Sequence, residues 1–432
     1  MGIQFYPFQI EALNATKNRN RVAYYCDMGL GKTFIGAEKL VRLRNDTNLL
    51  VCQKSKIQDW MNHFRTFYPD VQLWDLTKPK ELADFNLRYS AWHGYHGAGI
   101  GVGIINYELC WRRKELKRLN GFTLMLDESS LIQNDTAKRT RFILNLTPES
   151  VILLSGTPTS GKYENLWSQI HLLGWNISKE LYNRQYVNWE TVDIDGFPIR
   201  RVSKTNPYNH VDRLKEKLRD NGAFFKKTEE CFDLPEQVFI HNTVPVIPEY
   251  KKFRRKKIVT INDFELVGDT VLTERLYCRE LCGQFNKFKL NAFADLLAST
   301  NERLIVFYNF NAELKALLQI AESMNKPISQ VNGQIKDLEA YEANDDSVTF
   351  IQYQAGAMGL NLQKANRIIY FTLTDKSELF EQSKKRIHRI GQKSTCFYHI
   401  LLCEHSVEES ILEALNQRRD FTDELFRKAV DK

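Results

Sequence analysis

The sequence predicts an α/β protein made of two parallel-sheet units, and three observations carry that prediction. Short, unbroken apolar runs alternate with segments of helical spacing. Strands that read as continuous apolar runs are strands covered by helices on both faces. The alternation occurs twice, over residues 21–157 and again from about residue 303, around a less periodic middle.

The first set of strands is RVAYYCD (21–27), NLLVCQ (48–53), GVGIINY (101–107), FTLMLDE (122–128) and SVILLSGT (150–157). Between them, stretches such as IQDWMNHFRTF place apolar residues at helical spacing. After residue 160 the period is lost in an aromatic, turn-rich stretch. KKFRRKK (251–257) is the strongest charge run, and it fits a solvated helix face or a nucleic-acid contact equally. RLIVFYN, ISQVNG, VTFIQY, NRIIYFT and CFYHILL form the second set of strands, and a helix from about residue 406 closes the chain. The expected organisation is a first unit over 1–235 with an irregular insertion at about 175–215. A linker or helical insertion follows over 236–285, then a second unit over 286–432.

Composition narrows the class. At 43% hydrophobic residues the chain of 432 can fill large cores. No apolar run reaches the roughly 18 residues a membrane span needs. The start, MGIQFYPFQ, is not a signal peptide, and Tyr6 stands where a myristoylation signal has Ser or Thr. The net charge of +7 suits a polyanionic partner. Eight cysteines are scattered, and the nearest pair, Cys278 and Cys282, lacks the spacing of a zinc site. Reduced thiols in a cytoplasmic protein are expected.

YYCDMGLGKT (24–33) follows a strand and opens into the helical pattern FIGAEKLVRL. That is the setting of a phosphate-binding loop. Gly29 and Gly31 let backbone N–H groups approach phosphate oxygens at a helix N-terminus. Lys32 is placed to reach the β- and γ-phosphates, and Thr33 to offer a hydroxyl to Mg²⁺. The strict pattern has Gly where Cys26 stands. A second glycine cluster, GAGIGVG (97–103), precedes a strand rather than a helix and reads as a flexible loop, not a dinucleotide fingerprint. His93 and His96 form HxxH with no third ligand in view.

LMLDESS (124–130) ends a buried strand in adjacent acids. Alone, these seven residues fit the rim of a turn as well as a catalytic pair. Beside a phosphate loop, Asp127 is placed to hold Mg²⁺ and Glu128 to polarise the attacking water. SGTP (155–158) follows another buried strand and sets the hydroxyls of Ser155 and Thr157 at a strand tip. In EQSKKRIHRIGQ (381–392), Gln382, Arg386 and Arg389 fall at i, i+4 and i+7, one face of a helix. The two arginines suit fingers on the γ-phosphate. Otherwise they belong to a basic helix touching solvent or backbone, the reading given to Lys384 and Lys385.

In this order the pieces resemble the SWI/SNF-like branch of helicase superfamily two over nearly the whole chain. FYPFQ (5–9) resembles the Q motif, DMGLGKT motif I, LLVCQKSKIQDW (49–60) motif Ia and GVGIINYE (101–108) motif Ib. LDESS and LLSGTP stand at motifs II and III, RLIVFYNF (303–310) at IV, QAGAMGLNL (354–362) at V and QSKKRIHRIGQ at VI. FFKKTEECFDLPEQ (224–237) resembles the branch's link between halves.

The resemblance implies two RecA-like P-loop lobes with the ATP cleft between them and a motor stepping along double-stranded DNA. It implies ATP contacts for Gln9 and Gly359 beside Gly29, Gly31, Lys32 and Thr33. Mg²⁺ falls to Thr33 and Asp127, and catalysis to Glu128, Arg386 and Arg389. DNA-backbone contacts fall to Lys54, Ser55, Asn309, Gln354 and Gly356. Strand separation, or a nucleotide-gated DNA-binding module with little hydrolysis, are the competing functions. A separate nuclease or a replication or recombination partner is compatible, and a bare motor this small suits a bacterial virus or mobile element. One departure stands out. Motif II continues Ser129-Ser130 where the branch has Ala-His or Gly-His; in the branch that His helps link the hydrolysis site to motif III and the second lobe, and the Ser130 hydroxyl is its expected substitute.

Overall fold

The structure, a computed structural model, describes residues 3–91, 99–194, 196–356 and 360–426. The chain divides into two units, residues 1–231 with 420–432, and residues 232–419.

The first unit is built on a seven-stranded sheet. Its strands are β1 (Arg21–Cys26), β2 (Thr47–Cys52), β3 (Gln72–Asp75), β4 (Gly101–Asn106), β5 (Thr123–Asp127) and β6 (Ser150–Ser155). A separate hairpin, β7 (Trp189–Ile194) and β8 (Phe197–Val202), precedes the last strand, β9 (Ala223–Lys226). The sheet order is β3-β4-β2-β5-β6-β1-β9, and every pairing is parallel. The five strands expected from apolar runs are all present. They are buried almost throughout, which is why they show no alternation.

Helix α1 (Pro7–Ala15) precedes β1, α2 (Lys32–Leu43) follows it, and α3 (Ile57–Phe67) follows β2. Gly36 lets α2 settle on the sheet. A Cβ there would stand 2.7 Å from Leu154 Cδ1 and 3.3 Å from Met125 Sδ. The strands β5, β6 and β1 lie side by side, so whatever follows them collects at one edge. In open parallel sheets that carboxyl edge is where ligands bind.

The second unit has its own seven-stranded sheet, from β10 (Gln237–Val244), β13 (Leu304–Tyr308), β14 (Ile328–Val331), β15 (Lys336–Asp337), β16 (Val348–Gln352), β17 (Arg367–Tyr370) and β18 (Cys396–Cys403). A hairpin of β11 (Ile258–Ile261) and β12 (Phe264–Val267) stands apart from it. The order is β10-β18-β17-β13-β16-β14-β15, parallel except for the short β14–β15 pair.

Several elements were not legible as strands. QLWD (β3) and AFFK (β9) are short edge-side pieces, and both hairpins lie in stretches without a period. Within 236–285, residues Gln237–Val244 pair along their full length with β18, so that segment begins as part of the second sheet. The run 251–257 lies on and just past the helix Pro248–Lys256, whose Tyr250 and Phe253 are buried. Gly101–Gly103 of the glycine cluster opens β4 rather than forming a loop, because the cluster overlaps a buried apolar run.

The helix Val407–Phe426 ends the described chain, and its last turns are part of the first unit. Leu425 and Phe426 join that unit's core, the Tyr163 hydroxyl donates to Phe421 O at 2.7 Å, and Lys215 pairs with Glu424 at 2.5 Å. No helix among the described residues is long and apolar enough to cross a membrane.

Candidate active site

The loop after β1 is shaped by two left-handed glycines, Gly29 at φ 87° and Gly31 at φ 67°, the latter capping α2. A side chain at Gly31 would be strained by that φ and would also strike Gln9, whose Nε2 lies 2.5 Å from a Cβ built there. Gln9 is buried and fixed at both ends. Its Oε1 accepts from Tyr6 N at 3.0 Å, and its Nε2 donates to Leu30 O at 3.2 Å, inside the phosphate loop. The expected adenine-side residue therefore packs directly on the loop.

Lys32 Nζ donates to Cys26 O at 2.8 Å and Asp27 O at 3.1 Å, and it faces Gly156 of the SGTP turn. The carbonyl of Cys26, at the position where a strict phosphate loop has glycine, thus serves as an anchor for the lysine. Thr33 sits half-buried in the first turn of α2.

Asp127 ends β5, level with Leu154 on β6, and Tyr25 of β1 is level with Ser155. This register gathers the phosphate loop, the acids and SGTP at one edge. Trp60 of α3, almost fully buried, donates its indole N–H to Asp127 Oδ2 at 2.8 Å. Tyr107 donates to the backbone oxygens of Asp127 and Glu128 at 2.9 and 3.3 Å. Glu128 itself is held in the left-handed region, φ 57° and ψ 60°, a strained conformation for a residue with a side chain. Ser130 and Ser155 each donate to Glu128 Oε1 at 2.8 Å.

Burial raises both carboxyls above the ordinary carboxylate range. The Trp60 indole and the Lys32 ammonium act against this at Asp127. At Glu128, Lys32 and the two serine hydroxyls act against it, while Asp127 adds to it. Thr157 Oγ1 is buried and has no hydrogen-bond partner among the described residues, so of the two expected SGTP hydroxyls only Ser155 reaches the acids.

Ser129 behaves differently from Ser130. It is fully buried and donates to Gln169 Oε1 at 2.7 Å. Gln169, on the helix Trp167–Leu172, also accepts from Tyr25 OH at 3.1 Å and donates through Nε2 to Pro158 O at 2.7 Å. Trp60, Tyr107 and Gln169 were not singled out from sequence. Gln169 left only a faint trace, the single amide in LWSQIHLL.

In the second unit, the expected helical face of Gln382, Arg386 and Arg389 does not form. The helix Ser377–Lys384 ends before the arginines, and the chain continues in tight turns, with Arg386 N donating to Ser383 O at 3.2 Å and Gln392 N to Arg389 O at 3.0 Å. Tertiary bonds override the helical spacing. Ile387 and His388 are buried, His388 Nε2 lies 2.9 Å from Pro235 O, and Gln392 Nε2 donates to Ala365 O at 2.9 Å. Lys384 is not a solvent lysine either. It is buried, pairs with Glu381 at 2.6 Å and lies over the rings of Phe239 and Phe380.

Arg386 is 5% exposed and donates Nη1 to Leu360 O at 3.3 Å. Its Nε and Nη2 find no acceptor among the described residues, and burial with Arg389 nearby pushes its pKa down to about 10. Arg389 bonds Asn361 Oδ1.

Lys54 and Ser55 are exposed on the single 3₁₀ turn that leads into α3. Gln354 is exposed on the short helix Tyr353–Gly356, which Gly356 ends. Asn309 is committed internally, its amide donating to Thr372 Oγ1 at 2.9 Å and Leu373 O at 3.1 Å. Gly359, His93 and His96 lie outside the described residues. Among the described residues, Cys282, Cys403 and Glu408 bring ligand-type atoms within 4.8 Å of one another. Lys289 Nζ already holds both Glu408 oxygens, at 2.5 and 2.7 Å, so that carboxylate is spent on a buried ion pair.

The SNF2-related domain profile matches residues 18–244, just over half of the chain, and the helicase conserved C-terminal domain matches residues 288–391. The chain is similar to the ISWI chromatin-remodeling complex ATPase ISW1 of Saccharomyces cerevisiae, at 22% identity over 96% of this chain and 40% of that protein. It is likewise similar to the putative ATP-dependent helicase/translocase YwqA of Bacillus subtilis, at 24% identity over 93% of this chain and 46% of that protein. The chain thus spans less than half the length of these relatives. A solved Sulfolobus solfataricus SWI2/SNF2 ATPase core in complex with dsDNA aligns with a TM-score of 0.45 and 17% identity, over 98% of this chain and 93% of that one.

Proposed function

The chain belongs to the SNF2-related family, and from that premise we propose that it is a DNA-dependent ATPase that translocates on double-stranded DNA. The observation that carries the reading is the shared edge of β5, β6 and β1. It delivers the phosphate loop, the acid pair and SGTP together, with the Glu128 carboxylate oriented by two serine hydroxyls. A general base must be held in place and its proton affinity tuned, and both conditions are met at Glu128.

ATP is held by Gln9 on the base side and by Gly29, Gly31 and Lys32 on the phosphates. The two left-handed glycines let the loop's backbone N–H groups face phosphate oxygens, and the bare Cα of Gly31 leaves Gln9 its place against the loop. Thr33 and Asp127 hold Mg²⁺, an all-oxygen donor set suited to a hard cation. The metal supplies charge neutralisation on the phosphates. Arg386 and Arg389 are the fingers, and the two unpartnered N–H nitrogens of Arg386 are what an anionic oxygen would satisfy. Lys54, Ser55 and Gln354 are exposed and free to take DNA phosphates. Asn309 serves instead to brace the end of β13, given its internal bonds.

Phosphate release measured with and without duplex DNA tests the reading, alongside triplex displacement and fork unwinding. Duplex is expected to stimulate hydrolysis markedly and to support triplex displacement. Fork unwinding without triplex displacement would transfer the chain to the strand-separating helicases.

A further inference from the structure

We propose that Gln169 is the positioning residue that couples the acid tip to the SGTP turn, so that a change at one moves the other. This rests on the reading of Glu128 as the base of a DNA-stimulated ATPase. The family's histidine in motif II is absent here, and Ser129 and Ser130 divide the work. Ser130 turns back onto Glu128, at 2.8 Å, and Ser129 turns away from it to Gln169, at 2.7 Å.

The bond polarity around Gln169 is self-consistent. Its carbonyl oxygen takes two hydroxyl donors, Ser129 and Tyr25, and its amide nitrogen gives to a carbonyl, Pro158 O. The side chain is fully buried, at a helix position where leucine would fill a similar volume. A buried amide is costly unless every group is met, and a fully met one fixes its partners relative to each other. Three elements are fixed here: the end of β1, the residue after Glu128 and the proline of SGTP. Pro158 O has a second amide donor, Gln133 Nε2 at 3.3 Å, which itself donates to Ser160 at 3.0 Å. The turn therefore keeps a partner when Gln169 is replaced. Removing Gln169 should cut communication more than it cuts folding.

The test uses the full chain with Ser129→Ala, Gln169→Leu and the double variant. Each single change is expected to lower the stimulation of ATPase by duplex DNA about tenfold. The double is expected to lower it by about the same, not by the roughly hundredfold of independent sites. Basal hydrolysis and the Kd of a non-hydrolysable ATP analogue should stay within about threefold.

A second readout needs no DNA. Binding of the analogue should protect amides over residues 156–172 from hydrogen exchange in the wild type, and that protection should vanish in Gln169→Leu. Stimulation that survives in the folded variants, multiplicative losses, or protection that persists would each overturn the proposal. If Gln169→Leu does not fold, Ser129→Ala alone decides by the same two readouts. A wild type that hydrolyses ATP without any response to DNA would overturn the functional reading instead, and the exchange experiment would still judge Gln169.

Discussion

Each unit places a glutamate at a strand-to-helix junction, and the two could hardly differ more. Glu128 follows β5 on a left-handed backbone. It is met by side-chain hydroxyls and a nearby lysine, at an edge that stays partly open. Glu313 follows β13 and is fully buried. Its Oε2 accepts from the backbone N–H of Asn309 and Phe310 at 2.9 and 3.1 Å and from Thr372 Oγ1 at 2.9 Å. Burial pushes the Glu313 carboxyl up to about 7. The lesson is that an acid after a parallel strand is not a base by position. Backbone amides and depth make a brace of Glu313, while side-chain hydroxyls and an adjacent cation give Glu128 the surroundings its proposed role as base requires.

The sharpest way to break that contrast is to change the acid tip. Glu128→Gln and Lys32→Ala should each reduce phosphate release by on the order of 10⁴-fold while the melting temperature stays near the wild-type value. A Glu128→Gln enzyme retaining a tenth of the rate would remove the distinction altogether. Next in size, Arg386→Met should cost on the order of 10³-fold in rate. Its melting temperature should hold or rise, since a buried and partly unpaired charge is replaced by apolar volume. A fall in stability with the rate preserved would make Arg386 a structural residue.

Trp60→Phe takes the indole N–H away from Asp127, together with part of a buried ring packed on Phe64. It should raise the Mg²⁺ concentration for half-maximal nucleotide binding by about 10- to 100-fold, read by equilibrium titration. Unchanged Mg²⁺ dependence would place Trp60 in the core and nowhere else. The smallest effect is expected at Glu313. A carboxyl raised in the folded state contributes stability at low pH that is lost as pH climbs from its ordinary range through about 7. Wild type should therefore weaken between pH 5 and 8 by at most about 3 kcal/mol from this group. Glu313→Gln should flatten that slope and leave the ATPase rate within about twofold, measured by melting at both pH values.

The parts of the site that were legible in sequence were those written in consecutive residues. The phosphate loop, the acid pair and SGTP each follow a buried apolar run, and the run itself announces the strand. What failed was the inference from spacing to helix around Arg386. Spacing permits a shared face but does not compel one, and bonds from His388 and Gln392 drew the chain into turns. Gln169 and Trp60 could not be assigned because their partners lie 40 and 67 residues away. A long-range hydrogen bond leaves no local period. The edge strands β3 and β9 were missed for the opposite reason, being too short to show any pattern.

The last turns of the helix Val407–Phe426 set the order in which this protein can be finished. Phe421 lies against the rings of Tyr163 and Tyr208, and Leu425 and Phe426 fill the core of the unit whose other residues all precede residue 232. A nascent chain that has emerged through residue 231 has its first sheet but lacks the side chains that seal it. The N-terminal unit must wait, incomplete, through the whole synthesis of the second. A chain cut before Phe421 would keep every strand of the first sheet and still lack the side chains that close that unit's core.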